Sequence, residues 1–147
     1  MTRKFGTGFD LLDRGLIGAK LEWMERPVET VVVLGASPKP ERYAHQAFHL
    51  LREKGHRVIP VHPALDSLAG VPVARSLEEV EEEVDTVTVY VGRQVSGSLA
   101  GALIALHPRR VIFNPGAENP ELMQALVAEG IEAEEACTLV LLKAGLY

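Results

Sequence analysis

The segment Gly35-Ala36-Ser37-Pro38-Lys39-Pro40-Glu41-Arg42 follows a dense β-branched run and carries the groups that would hold an anion. Glycine permits a tight turn and close backbone approach, and amides that open a following helix point outward along a positive dipole. Ser37 adds a hydroxyl, and Lys39 and Arg42 add cationic charge, a set suited to phosphate oxygens. The same residues also read as an ordinary strand–helix turn. Three other segments end on residues of comparable use. Val61-His62-Pro63 brings an imidazole that could stack on, or donate to, a phosphorylated nucleoside. Tyr90-Val91-Gly92-Arg93 brings a planar guanidinium fork for phosphate or carboxylate, unless Arg93 is spent on a nearby acid. Asn114-Pro115-Gly116 gives a second close-approach turn, where Asn114 either donates to a ligand carbonyl or organises the chain as Asx residues do.

Other chemistry is set aside by residue type. The dinucleotide pattern G-x-G-x-x-G is not met, because Ser37 and Pro40 follow Gly35. The strand-end position where a nicotinamide dinucleotide site places Asp or Glu for the ribose diol holds His62 instead. His45 and His49 have the spacing of a helical zinc-hydrolase motif, but Gln46 stands where the glutamate general base belongs. With no third ligand evident, no metal is assigned. Cys137 has no histidine beside it in sequence and reads as a small buried hydrophobe. Ser96 and Ser98 do not form a G-x-S-x-G elbow and read as helix caps. No two strand ends carry paired carboxylates, so no catalytic residue is assigned.

These segments need a scaffold that brings strand ends together. Apolar runs at Thr30–Gly35, Arg57–Val61, Val71–Ala74, Asp85–Val91, Arg110–Phe113 and Ile131–Glu134 predict strands. Between them, helical periodicity predicts helices over 41–54, 98–106 and 120–129, with Gly55 and Gly130 as stops. Ser76 with Glu79 predicts a capped helix over 77–84, Phe9–Met24 an N-terminal helix and Cys137–Leu146 a terminal one. Pro63–Gly70 reads as a plain loop. Strand–helix alternation with near-continuous apolar strands predicts a parallel sheet covered on both faces. The expected architecture is α/β, a Rossmann-like doubly wound sheet in three α/β/α layers, as a single domain over 1–147.

The composition fits that expectation. A chain of 147 residues with 47% apolar content can bury a core, and one cysteine excludes a disulfide framework. A formal charge of −5 argues against a nucleic-acid binder. No apolar run approaches membrane-spanning length and Met1–Gly15 lacks the apolar core of a secretory signal, so a cytoplasmic location is expected.

The order of these motifs resembles the stand-alone CoA-binding domain family, itself similar to the N-terminal domain of the succinyl-CoA synthetase α subunit. The likeness runs over about residues 15–140. Its most specific pieces are Leu34-Gly35-Ala36-Ser37-Pro38-Lys39-Pro40 and Val61-His62-Pro63. The resemblance implies strand order 3-2-1-4-5 with an added strand, and coenzyme A in the crevice. It sends Gly35, Ala36, Ser37 and Lys39 to the phosphates, His62 and Pro63 to the adenosine, Val91, Gly92 and Arg93 to the pantetheine, and Asn114, Pro115 and Gly116 toward the thiol. Two positions depart from the family pattern: His62 replaces the usual Asn, and Glu135-Ala136-Cys137 replaces a D-R-C sequence. The synthetase's phosphorylated histidine belongs to another domain, so ligase activity is not implied. The expected partner is a small nucleotide ligand, CoA or acyl-CoA, with a protein partner or a second copy also open. Two other readings stay in view: an NAD(P)-dependent oxidoreductase, and a ligand-free interaction module on the same scaffold.

Overall fold

A computed structural model describes residues 27–147. The expected helix Phe9–Met24 lies outside the described residues. The framework is a five-stranded parallel sheet. Its central strand β1 (Thr30–Leu34) pairs with β2 (Arg57–Val61) on one side and β5 (Thr86–Val89) on the other. Next to β5 come β6 (Arg110–Phe113) and the outer strand β7 (Glu132–Glu135), so the order is β2-β1-β5-β6-β7. Direction of travel reverses between β1 and β5, the switch point at which ligands enter such sheets. β1 reads TVVVL because both its faces are covered: Val31, Val32 and Val33 have no exposure at all.

Strand parity sorts the core into two layers. Val31, Val33 and Ala36 face helix α1 (Tyr43–Glu53), whose Ala44, Ala47, Phe48 and Leu51 recur at helical spacing on its buried side. Burying Phe48 and Leu51 contributes about 1.5–3 kcal/mol each. Leu142 of the last helix, α5 (Thr138–Ala144), joins this layer. Val32, Leu34, Val87, Val89, Val111 and Phe113 face the opposite way. They are covered by α3 (Ala100–Leu106) and α4 (Pro120–Ala128), through Leu103, Leu122 and Leu126, with the short helix α2 (Arg93–Ser98) leading into α3. Three α/β/α layers result, as expected.

Several local expectations are corrected. The third strand shrinks to a two-residue strand β4 (Val71–Pro72), followed by a single parallel bridge from Ala74 to Val61. The supposed loop before it contains β3 (Ser67–Leu68), antiparallel to β4 across a two-residue turn. Ala69 (φ +49) and Gly70 (φ +80) both sit in the left-handed region that such a turn demands. Only one tight turn, Leu77–Glu79, forms where a capped helix was predicted. There Ser76 caps nothing, Glu79 Oε1 accepts from the Arg75 amide, and Glu82 is drawn away to Arg57 on β2. A helix would also stack Glu78 on Glu82 and Glu79 on Glu83 at i,i+4, which repels. Helical structure starts at Arg93, not Ser98, so Ser96 and Ser98 lie inside α2. Their hydroxyls donate to Arg93 O and Val95 O.

At the amino edge of the sheet a buried polar cluster replaces apolar packing. Glu29 accepts from the Thr86 hydroxyl and from Arg109, each at 2.8 Å. Arg110 donates to Thr86 at 2.9 Å and lies over the Tyr147 ring, 4.5 Å from its centre. His56 packs against that ring as well, with centres 5.3 Å apart, and its Nδ1 accepts from the Glu29 amide at 3.0 Å.

Candidate functional site

The carboxyl ends of β1, β2, β5 and β6 bring every sequence-predicted segment to one edge of the sheet. The arrangement within that edge differs from the one expected. The amides of Gly35 and Ala36 both donate to Val61 O, at 3.2 and 3.1 Å, so neither is free for an anion. Gly35 (φ +93) is required, but by the protein itself. A Cβ there would meet Val91 Cγ1 at 2.8 Å and the Tyr90–Val91 backbone at 3.3 Å. The close approach that the sequence reading gave to a ligand is the approach of β1 to the end of β5.

The groups left open lie one step further along. Ser37 Oγ accepts from the Lys39 amide at 3.1 Å and keeps its own proton to donate. Ser37 O accepts from His45 Nδ1 at 2.9 Å, fastening the turn to α1. Lys39 and Arg42 are exposed and have no carboxylate partner among the described residues. Arg42 stands at the N-cap of α1 without capping it, and the first two helical amides, Tyr43 and Ala44, meet no acceptor among the described residues. An α-helix that begins uncapped carries a partial positive charge there. Cationic side chains and helix dipole thus converge on the Ser37–Arg42 turn.

His62 is half-buried after β2. Its Nδ1 accepts from the Ala64 amide at 2.9 Å, which leaves Nε2–H as an outward donor on a neutral ring. Pro63 beside it is exposed. Gly92 is the N-cap of α2, and Arg93 opens that helix instead of ending a strand. Arg93 points across a groove of about 560 Å³ between α2 and α4, where it pairs with Glu121 at 3.3 Å. Its guanidinium is partly engaged, the alternative the sequence left open.

Asn114 is settled in favour of organisation. Its Nδ2 donates to Thr88 Oγ1 at 2.7 Å and Val89 O at 2.9 Å, and its Oδ1 accepts from the Thr138 amide at 2.8 Å. With 1% exposure it has nothing to offer a ligand carbonyl. Pro115 and Gly116 are exposed, and the Gly116 amide is held by both oxygens of Glu118 at 3.1 Å.

Sequence reasoning missed Tyr90. It follows β5 on the parity of Thr86 and Thr88, and its hydroxyl is buried beside Thr88 and Thr138 without a hydrogen-bond partner. Burial pushes its phenol up to about 12. The alternation Thr86-Val87-Thr88-Val89-Tyr90 was the available signal, since polar-capable residues on one parity mark a polar stripe beneath α5. Cys137 lies at the N-cap of α5 on this same edge. Among the described residues no three His, Cys, Asp or Glu side chains gather into a metal cluster, and no helix is long and apolar enough to cross a membrane.

A doubly wound α/β domain with an anion-suited turn at its switch point is the class these features define. Residues 29–143 match the CoA-binding domain family, and the chain belongs to it. The chain is 27% identical to the YneT protein of Bacillus subtilis (strain 168) over 100 residues, 68% of this chain and 74% of that one. A crystal structure of an uncharacterized protein superposes with TM-score 0.79 at 40% identity, covering 83% of this chain and all of that one. An acetyl-coenzyme A synthetase of Ca. Korarchaeum cryptofilum shares the fold, with TM-score 0.64 at 19% identity. That match spans 77% of this chain and 27% of the synthetase.

Proposed function

We propose that this protein binds coenzyme A or an acyl-CoA at the carboxyl edge of its sheet, as a binding protein working in the cytoplasm. The observation that carries the reading is the family match over 29–143 coinciding with an uncapped, cationic turn at the switch point. In this reading the CoA phosphates lie against Ser37, Lys39, Arg42 and the first amides of α1, with Gly35 and Ala36 as the floor of the turn and not its donors. His62 and Pro63 flank the adenosine, with Nε2–H of His62 available to it. Val91, Gly92 and Arg93 line the pantetheine path, and Pro115 and Gly116 its far end. Local charge governs such a site even on a chain of net charge −5. A nicotinamide dinucleotide is disfavoured because His62 presents a donor where a ribose diol needs an acceptor.

Isothermal titration with CoA, NAD and ATP tests this. Saturable binding of CoA, tighter than that of NAD or ATP, is expected. Replacing Lys39 and Arg42 by Glu removes two charge-assisted contacts, which should weaken CoA by ten- to a hundredfold or roughly more. Absence of heat with CoA at millimolar concentration would end the proposal.

A further inference from the structure

The exposed side of α1 carries a feature that the CoA reading does not use. His45 and His49 stand one helical turn apart, with ring centres 4.5 Å apart and planes tilted by 59°. Both rings are half-buried, so each is held by its surroundings while one side stays open. His45 is also fixed in tautomer. A carbonyl can only accept, so the 2.9 Å contact to Ser37 O places a proton on Nδ1 and leaves Nε2 as the ring nitrogen open to a ligand. A ring nitrogen tethered to a backbone carbonyl is the outer-shell arrangement that orients an imidazole ligand for a metal.

We infer that His45 and His49 form a two-imidazole chelate for a late first-row divalent cation, with Cu(II) the best fit. Imidazole suits copper, nickel and zinc, and affinity for such ligands peaks at Cu(II). Metal–nitrogen bonds of about 2.0 Å set at a right angle bring two imidazole centres roughly 4.5 Å apart, whereas a tetrahedral angle spreads them to roughly 5.2 Å. The observed 4.5 Å lies within the span that one metal ion bridges, so the two rings need no backbone change to share one. Coordination takes the neutral form of both imidazoles, so binding releases protons and weakens in acid. Arg52, the nearer cation, lies over the Phe48 ring at 5.5 Å from its centre. Arg42 precedes the first turn and Glu53 follows His49 by one turn, so negative and positive neighbours flank the pair. No third side chain of ligating type joins them among the described residues, which leaves the remaining positions to water or an anion. The site is therefore unlike the hydrolytic zinc motif excluded from the sequence, because it supplies two ligands and no general base.

Tag-free full-length protein titrated with Cu(II), and in parallel with Ni(II) and Zn(II), tests the inference without CoA present. One equivalent should bind, with electron paramagnetic resonance of the copper form showing coupling to two imidazole nitrogens. Each of His45→Ala and His49→Ala should weaken that equivalent at least tenfold, while His107→Ala on the far side leaves it unchanged. Because His49→Ala keeps the Ser37 tether, it remains informative if His45→Ala disturbs the turn. Cu(II) binding no tighter in the natural protein than in the double variant, or a spectrum with one nitrogen, overturns the inference. Neither result bears on whether CoA binds.

Discussion

The backbone amide of Thr138 donates to the side-chain oxygen of Asn114 at 2.8 Å, so the first turn of α5 is tied directly to the end of β6. The same asparagine reaches Thr88 on β5, and Thr88 meets Thr138 hydroxyl to hydroxyl at 2.8 Å. Three elements therefore share one buried polar knot beside the candidate site. Asn114→Ala leaves the Thr138 amide without its acceptor and takes a donor from Thr88 Oγ1, while Val89 O keeps the backbone amide of residue 114. A loss of about 2–3 kcal/mol is expected, read by urea denaturation. A change under half a kilocalorie would show that the knot holds nothing.

Tyr90 and Asn114 should behave oppositely. The Tyr90 hydroxyl is buried outside hydrogen-bond geometry, and the nearby Thr88 and Thr138 hydroxyls offset its burial only in part, so Tyr90→Phe removes a group whose desolvation is not fully offset. Stability equal to or up to roughly 1 kcal/mol above the natural protein is expected from the same denaturation curves. Marked destabilisation would mean that the hydroxyl is bonded after all.

Gly35→Ala combines two faults. Alanine at φ +93 is strained by about 1–2 kcal/mol, and its Cβ would press on Val91. Val91→Ala in the same chain should relieve only the contact with Cγ1, leaving the backbone strain and the 3.3 Å approach to the Tyr90–Val91 backbone. Full recovery in the double variant would show that strain contributes nothing.

Ala69 sits at φ +49 in the β3–β4 turn, where asparagine is better tolerated. Ala69→Asn should raise stability by roughly 0.5–1 kcal/mol, seen as a higher denaturation midpoint at unchanged slope. A lower midpoint would contradict the turn assignment.

Acid should loosen the amino edge. His56 is held below its ordinary value, mainly by burial and further by Arg110, with Glu29 opposing. Its Nδ1 accepts from the Glu29 amide, so the fold needs this ring nitrogen unprotonated. The unfolded chain then binds the proton more readily than the folded one. This contribution is fully present above pH about 6.5 and is lost as pH falls through that value toward the folded pKa. His49 shifts in the same direction and adds to the slope. His56→Asn keeps an acceptor near the Glu29 amide and removes the titration. It should flatten the dependence of stability on pH between about 5 and 7, and an unchanged slope would exclude His56 as a source.

Periodicity made the sheet legible. Arg57–Val61 and Arg110–Phe113 fall where the sequence predicts them, because β-branched runs bounded by glycine have few other uses. Misreadings came where tertiary partners decided. Ser76 and Glu79 spell a capping box, yet Arg57 on a distant strand claims Glu82 and the helix never forms. The site was legible as an edge and not as a set of donors. Nothing in Gly35-Ala36 tells that Val61 O will take both amides, since that depends on how far β2 extends beside β1. Asn114 likewise shows its role only once Thr88 and Thr138 arrive from elsewhere in the chain.

The outer strand β7 has one further effect. Glu132, Glu134 and Glu135 occupy three of its four places, on a border whose backbone has no neighbour among the described residues. Lateral growth of the sheet through that border would align two such rows about 4.8 Å apart, with their carboxylates opposed. Like charges facing one another across so short a gap disfavour adding a second copy along this border.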